Sequence, residues 1–306
     1  MAESGLVIAH YGRSAAVEDG RGELVSCHLR RHTADVVCGD RVTFRRLPDG
    51  HGVVESRLPR RSVLARADAR GRERALAANV DLLLVVLAPR PEPDWPMACA
   101  YLAYAAAHGL EAQLLFNKSD LPETAGHEDT LAAYTAAGLP VLRTSCRSGE
   151  GLAALRARLA GHTAVLVGAS GVGKSSLVKA LLPDLAVRVQ ALSALAGLGT
   201  HTTTTTTLYH LPDGGDLIDS PGVRRFAVGG LDPAAVRAAF PDFAEHAAHC
   251  RYPDCSHRHE PDCAVRRAAA EGRIVPLRLQ HYEVLLARAE AEAAAVSPWR
   301  RRPPPR

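Results

Sequence analysis

The chain has 306 residues, 47% of them hydrophobic, and a formal net charge of +4. This length and composition allow two or three globular domains with a sizeable core. No apolar run reaches membrane-spanning length, and the N-terminus lacks the charged-then-apolar pattern of a secretory leader, so neither a membrane-spanning nor an exported chain is expected.

Residues from about Leu6 to Leu64 form short β-type runs broken by Gly, Asp and Pro: Gly5-Leu6-Val7-Ile8, Glu23 to Leu29, Asp40 to Phe44 and Gly52 to Glu55. Short strands at close spacing with turn signals predict a small barrel of the OB type, a fold that often binds RNA or DNA across one face. Tyr11 and Phe44 are the main candidates for base stacking. Arginines crowd into Arg57 to Arg74 and again at Arg300 to Arg302, so phosphate contacts are expected more than base readout. A barrel that only packs against its neighbour is the alternative. Arg57 to Ala78 reads as a basic, Ala-rich connector.

Strand-helix alternation then begins. Asn79 to Leu87 is a continuous apolar strand, as a parallel sheet covered on both faces requires. A helix over Trp95 to His108 leads to a strand at Ala112 to Phe116. A helix around Thr130 to Ala137, a strand at Pro140 to Thr144 and a helix over Leu152 to Leu159 follow. Together they predict a doubly wound α/β sheet.

The strand at Ala112 to Phe116 runs into Asn117-Lys118-Ser119-Asp120, the N-K-x-D pattern of guanine-nucleotide proteins. A carboxylate at Asp120 can accept from guanine N1–H and the 2-amino group, whereas adenine would leave it unpaired. Asn117 can tie loops together and the Lys118 stem can cover the ring. Ser145-Cys146 resembles the S-A-x segment that supports guanine O6, with Cys where Ala is usual. Next, Ala164 to Val167 reads as a buried strand feeding Gly168-Ala169-Ser170-Gly171-Val172-Gly173-Lys174-Ser175-Ser176, which fits G-x-x-x-x-G-K-[ST]. Its glycines allow backbone N–H groups to turn inward around phosphates at a helix N-terminus. Lys174 can reach the β- and γ-phosphates and Ser175 can hold Mg²⁺. The helix from Lys174 is predicted to stop at Pro183.

Gly197 to Thr207 carries six consecutive threonines after His201. The early ones, Thr202 and Thr203 foremost, are expected in a switch loop touching Mg²⁺ and the γ-phosphate, and the later ones in a strand through His210. Which threonine would hold the metal stays open. Asp219-Ser220-Pro221-Gly222 is a D-x-x-G in which Asp219 can hold the Mg²⁺ shell and the Gly222 N–H the γ-phosphate. Val223 occupies the place of a water-orienting Gln. His201 is the nearest replacement, a group supplied by the partner being the alternative. N-K-x-D precedes the phosphate loop, the reverse of the usual GTPase order, which marks a circular permutation; such rearrangement is permissible because domain termini lie close together.

The last part begins near Leu231 and carries Cys250-x4-Cys255-x-His257-x5-Cys263. Three thiolates and an imidazole make a closed, structural Zn²⁺ set, with His249 and His259 as rival fourth ligands. Seven cysteines, three of them here, suggest metal ligation in a reducing compartment, hence a cytoplasmic protein. Helices are expected over Cys263 to Arg273 and Leu277 to Ala294, ahead of a disordered basic end from Trp299.

This order of parts resembles the RsgA/YjeQ family, the ribosome small-subunit-dependent GTPases. The resemblance covers nearly the whole chain, including Cys27 to Arg31, Val37 to Val42, Ala77 to Asp81, Gly199 to Thr203 and Asp219 to Val223. Ala100 departs from the Arg usual before Tyr101-Leu102, and the threonine run is longer than typical. The implied architecture is multidomain. Residues 1–70 are an all-β OB-type barrel, 71–230 a circularly permuted α/β P-loop GTPase, and 231–306 a mainly helical zinc-binding domain with a basic extension. The resemblance implies GTP hydrolysis to GDP, late maturation of the small (30S) subunit, 16S rRNA contact through barrel and zinc module, and stimulation by that subunit. A monomer is expected. An RNA-binding module with a merely structural nucleotide, and a GTPase switch for a protein partner away from RNA, are the competing readings.

Overall fold

Five short strands near the N-terminus close on themselves in the computed structural model, which describes residues 2–67, 73–195, 206–219 and 231–300. They are β1 (Glu3–His10), β2 (Ser14–Asp19), β3 (Leu24–His28), β4 (Arg41–Arg46) and β5 (Gly52–Arg57). The pairing order is β1-β2-β3-β5-β4, and β4 returns to β1. Only β3–β5 is parallel among these contacts. This is the closed Greek-key barrel of the OB type. Its interior is filled by Val7, Val17, Val25, Cys27, Val42, Phe44 and Val54. Phe44 is therefore part of the barrel core and not a stacking platform, and Tyr11 is half-buried with its hydroxyl donating to Leu192 O at 3.3 Å. Phe44 is unavailable for base stacking, because burying its ring in the small core outweighs leaving it in water.

β6 (Val63–Ala67) and β7 (Glu73–Ala78) pair antiparallel as a separate ribbon. The predicted connector thus contains a hairpin that its Ala-rich sequence conceals. At its foot, the segments that carry the family resemblance meet. Ala78 N donates to Cys38 O at 2.9 Å, and the Asn79 side chain donates to Gly39 O at 2.8 Å. Gly39 has φ +88°, and a Cβ there would stand 2.2 Å from Ala78 O, so only glycine fits this close approach. The fully buried Asp40 carboxylate accepts from Arg60 Nε at 2.7 Å and Nη2 at 2.8 Å.

The parallel part of the sheet runs β10-β9-β8-β11-β13, with β12 antiparallel at its flank. The strands are β8 (Leu82–Leu87), β9 (Glu111–Asn117), β10 (Val141–Thr144), β11 (Thr163–Val167), β12 (Thr207–His210) and β13 (Asp216–Asp219). Every residue of β8 is buried, as its unbroken Leu/Val sequence requires between two helical layers. The helices are α1 (Trp95–Ala107), α2 (Glu128–Ala136), α3 (Leu152–Leu159), α4 (Lys174–Leu181) and α5 (Leu185–Leu195). Asp94 caps α1 by accepting from Met97 N at 2.9 Å, with Pro96 in the first turn. α5 was not foreseen beyond Pro183. One sheet joins both parts, because Ala9 of β1 pairs with Thr207 of β12.

The C-terminal part is helical: α6 (Pro233–Ala238), α7 (Pro241–Ala247), α8 (Ala264–Ala270) and α9 (Pro276–Arg300). α9 runs six residues past its expected end. It lies on α1 and α6, which is why α1 is buried on nearly all sides. A polar cluster forms this seam. Arg278 is fully buried and donates to Asp242 at 2.8 and 3.1 Å. Its guanidinium centre lies 4.6 Å from the Tyr134 ring and 4.4 Å from the Phe240 ring. Tyr134 also meets His281 Nδ1 at 2.9 Å. Burial, then the Arg278 charge, pull His281 down to about 4, so it sits there neutral. No described helix is long and apolar enough to cross a membrane.

Candidate functional site

The three sequence motifs that lie within the described residues converge at one end of the parallel strands. β11 delivers the loop 168–173 to the start of α4, and β9, one strand away across β8, delivers Asn117 to Asp120. Gly173 has φ +97°, and a Cβ on it would lie 2.2 Å from Asn117 Nδ2. That closeness lets Asn117 Nδ2 donate to Val172 O at 2.9 Å, while Thr144 Oγ1 donates to Asn117 Oδ1 at 3.1 Å. Lys118, at φ +60°, donates from Nζ to Gly171 O at 2.6 Å and Arg90 O at 2.8 Å. The N-K-x-D loop is therefore bolted to the phosphate loop by two side chains. Lys174, largely buried, donates to Gly168 O at 2.7 Å and Ala169 O at 2.6 Å, which fixes its ammonium within the loop. Ser175 and Ser176 follow in the first turn of α4.

Asp120 is held by its neighbours. Ser145 Oγ donates to Asp120 Oδ1 at 2.6 Å and itself accepts from the N–H groups of Arg147 and Ser148 at 3.2 and 3.1 Å. Ser119 Oγ donates to Glu150 Oε2 at 2.7 Å, and Ser145 N donates to Glu150 O at 3.0 Å. Asn117, Lys118, Asp120, Cys146, Arg147 and Gly173 share the lining of one groove. Burial, then the Asp120 carboxylate, push the Cys146 thiol up, so it lines the groove as a neutral group. The groove combines a fixed carboxylate, a lysine stem and backbone N–H groups at a helix start, a set suited to a purine with a phosphate tail. Arg147 and Glu150 were missed by sequence reasoning. Arg147 had one signal, its adjacency to Ser145-Cys146; Glu150 had none.

Asp219 ends β13, and the pairing Val165↔Ile218 carries it to the same end of the sheet as Gly168. Thr207 enters β12 as expected. His201, Thr202, Thr203, Gly222 and Val223 lie outside the described residues.

A second cluster lies in the C-terminal part. Cys250, Cys255, His257 and Cys263 bring their ligand atoms within 4.8 Å of one another. Cys250 Sγ is 3.6 Å and Cys263 Sγ 3.5 Å from His257 Nδ1. His249 and His259 are exposed and outside this group. His257 reaches inward on a left-handed backbone, φ +61°. The turn that carries it is tied by Glu260, whose carboxylate accepts from the N–H groups of Ser256 at 2.8 Å and Arg258 at 3.2 Å. Burial opposes ionisation of Glu260, yet its hydrogen bonds from Ser256 and the local backbone hold the carboxyl well below its usual range. Burial also pushes the Cys255 thiol up to about 12. Three thiols and an imidazole gathered this closely fit one tetrahedral cation, which would stabilise the thiolates that burial disfavours.

Comparison with known proteins bears on the whole chain. The RsgA GTPase family profile matches residues 57–229. A protein of Azotobacter vinelandii named small ribosomal subunit biogenesis GTPase RsgA is 48% identical over 292 residues, covering 93% of this chain and 85% of that one. A protein of Pseudomonas aeruginosa with the same name is 46% identical over 288 residues, with the same coverage. The crystal structure of YjeQ from Thermotoga maritima superposes with a TM-score of 0.75 at 29% identity, covering 94% of this chain and 99% of that one. YloQ, described as a circularly permuted GTPase, shares the fold with a TM-score of 0.70 at 22% identity, covering 95% and 96%.

Proposed function

The chain belongs to the RsgA GTPase family, and from that premise we propose that it hydrolyses GTP to GDP in late assembly of the small (30S) ribosomal subunit, which stimulates it. The observation that carries the reading is the contact of Asn117 with Val172 O at 2.9 Å. It joins a guanine-type loop to a phosphate-type loop although the two stand in reversed order in the chain.

Asp120 reads the guanine edge, Ser145 holds that carboxylate, and Cys146 supports the O6 side. Asn117 and Lys118 with Ser119 shape the base site. Gly168 to Gly173 wrap the phosphates, Lys174 neutralises their charge, and Ser175, Thr202 or Thr203, and Asp219 hold Mg²⁺. Gly222 senses the γ-phosphate and His201 orients water. Mg²⁺ supplies charge neutralisation between phosphates when bound. Cys250, Cys255, His257 and Cys263 hold one structural Zn²⁺. The barrel (1–70) and zinc domain (231–306) contact 16S rRNA around the GTPase part (71–230), in a cytoplasmic monomer. The names of the curated relatives support the ribosomal part of this reading.

The test is GTP turnover by purified protein with and without small ribosomal subunits. Stimulation by the subunit, abolished in Lys174→Ala, is expected. Equal turnover in both conditions would remove the ribosomal part, and turnover surviving in Lys174→Ala would remove the assignment of the phosphate loop.

A further inference from the structure

Beside the Cys/His cluster lies a cleft that the GTPase reading leaves without a role. It has a volume of about 210 Å³ and lies between α6, α7 and the loop that carries Cys255. That is smaller than the ~300–1,000 Å³ of typical small-molecule pockets, and suits a single planar group. Phe240, Phe243, Tyr252, Pro253, Arg237 and His257 line it. Its floor is rigid: Phe240 and Phe243 lie 5.1 Å apart, and both contact the Tyr282 ring, at 5.1 and 5.2 Å. Its rim is different. Tyr252 is an exposed aromatic at 38% relative accessibility.

Two cations stand at this rim. The Arg251 guanidinium lies 5.5 Å from the Tyr252 ring centre and pairs with Asp262 at 3.2 Å. Arg237, exposed on α6, makes no side-chain hydrogen bond or ion pair with any described residue. An exposed ring, backed on one face by a guanidinium, together with a second guanidinium that has no partner among the described residues and lines the same cleft, is a set matched to a flat π-system carrying a negative charge. The metal itself takes no part, since four protein ligands leave a closed shell.

We infer that this cleft is a subsite for one unstacked nucleotide of single-stranded RNA, with its base against Tyr252 and its phosphate at Arg237. The inference rests on the ribosomal reading above and gives it a residue-level contact. Such stacking tolerates any base, because every base has a π-face. The contact is one of positioning, without sequence readout.

The test uses the full-length, metal-loaded protein and a fluorescent eight-nucleotide single-stranded RNA containing 4-thiouridine. Loss of one stacked base by Tyr252→Ala should weaken binding about ten-fold, while Tyr252→Phe retains it. Arg237→Ala should lower the slope of log affinity against log salt by about one. Irradiation should cross-link the RNA to the peptide that contains Tyr252. Metal content is measured in each variant, so that a disturbed ligand loop is recognised. Affinity of Tyr252→Ala within two-fold of wild type, with cross-links confined to the barrel or elsewhere, overturns the subsite. Subunit-stimulated GTP turnover is measured in parallel on the wild type. If that stimulation is intact while the Tyr252 variants are silent, the subsite alone falls; if stimulation is absent, the ribosomal reading falls with it.

Discussion

The buried contact of Asn117 with the phosphate loop can be broken by one methyl group. We predict that Gly173→Ala damages the site through two separable effects. The first is backbone strain: at φ +97° a non-glycine residue pays about 1–2 kcal/mol. The second is a collision, since the new Cβ would stand 2.2 Å from Asn117 Nδ2. A flexible side chain would swing aside at little cost, but Asn117 is buried and held at both ends, by Val172 O at 2.9 Å and Thr144 Oγ1 at 3.1 Å. Displacing it strands a buried donor, at about 1–3 kcal/mol. The sum is roughly 2–5 kcal/mol, which corresponds to at least ~30-fold in GDP affinity if the loops retract, or to several degrees in Tm if the fold bears the strain. Calorimetric titration of GDP with Mg²⁺, paired with thermal unfolding, reads both. A variant with Kd within three-fold of wild type and unchanged Tm refutes the reasoning.

Further expectations follow from other parts of the molecule. Asp120→Asn should weaken GTP and admit xanthosine triphosphate, because the acceptor pair set by Ser145 is lost; equal GTP and ATP binding by the wild type would contradict it. Reduced protein should carry one zinc per chain, and chelation should destabilise α7 and α8, which flank the cluster, before the nucleotide sheet; hydrogen exchange resolves the two, and exchange spread evenly over both argues against a structural metal. His210 is gripped by Asp216 at 2.6 Å and Glu18 at 2.8 Å, and the Asp216 hydrogen bond, against partial burial, raises it to about 9. Its folded pKa exceeds the unfolded value of 6.5, so its contribution is complete below pH ~6.5 and lost as pH rises through about 9. The stability gap between wild type and His210→Gln should therefore close above that pH, and a gap that stays constant from pH 6 to 10 would show that His210 is not held charged.

The chemistry was more legible than the packing. Loops 168–176 and 117–120 advertise themselves because a phosphate or a guanine demands particular residue types at fixed offsets. β8 was legible because burial on both faces writes an unbroken apolar run, although its first residues, Asn79 to Asp81, proved to be the junction with the barrel. β2 was not, since Ser14-Ala15-Ala16 has little strand propensity and becomes a strand only by pairing with β1 and β3. The β6–β7 hairpin was hidden for the same reason: its alanine-rich strands acquire their structure by pairing with each other. Phe44 was misplaced because a ring's exposure depends on which face of the strand turns inward, and a five-strand barrel sets that by register. Among three histidines near the cysteines, His257 alone comes within reach of the thiols, a choice made by backbone handedness and invisible in the spacing.

β1 belongs to two structures at once. Glu3 to Leu6 pair with β4 inside the barrel, whereas Ala9 pairs with Thr207 on the flank of the nucleotide sheet. The barrel is thus grafted onto the sheet by a shared plank, not hung from it by a string. A slip of β12 by one residue against β1 would turn the buried Thr207 to the opposite face, so burial fixes the register of this junction. The same eight-residue strand thus sets both the closure of the barrel and its seat on the flank of the nucleotide sheet.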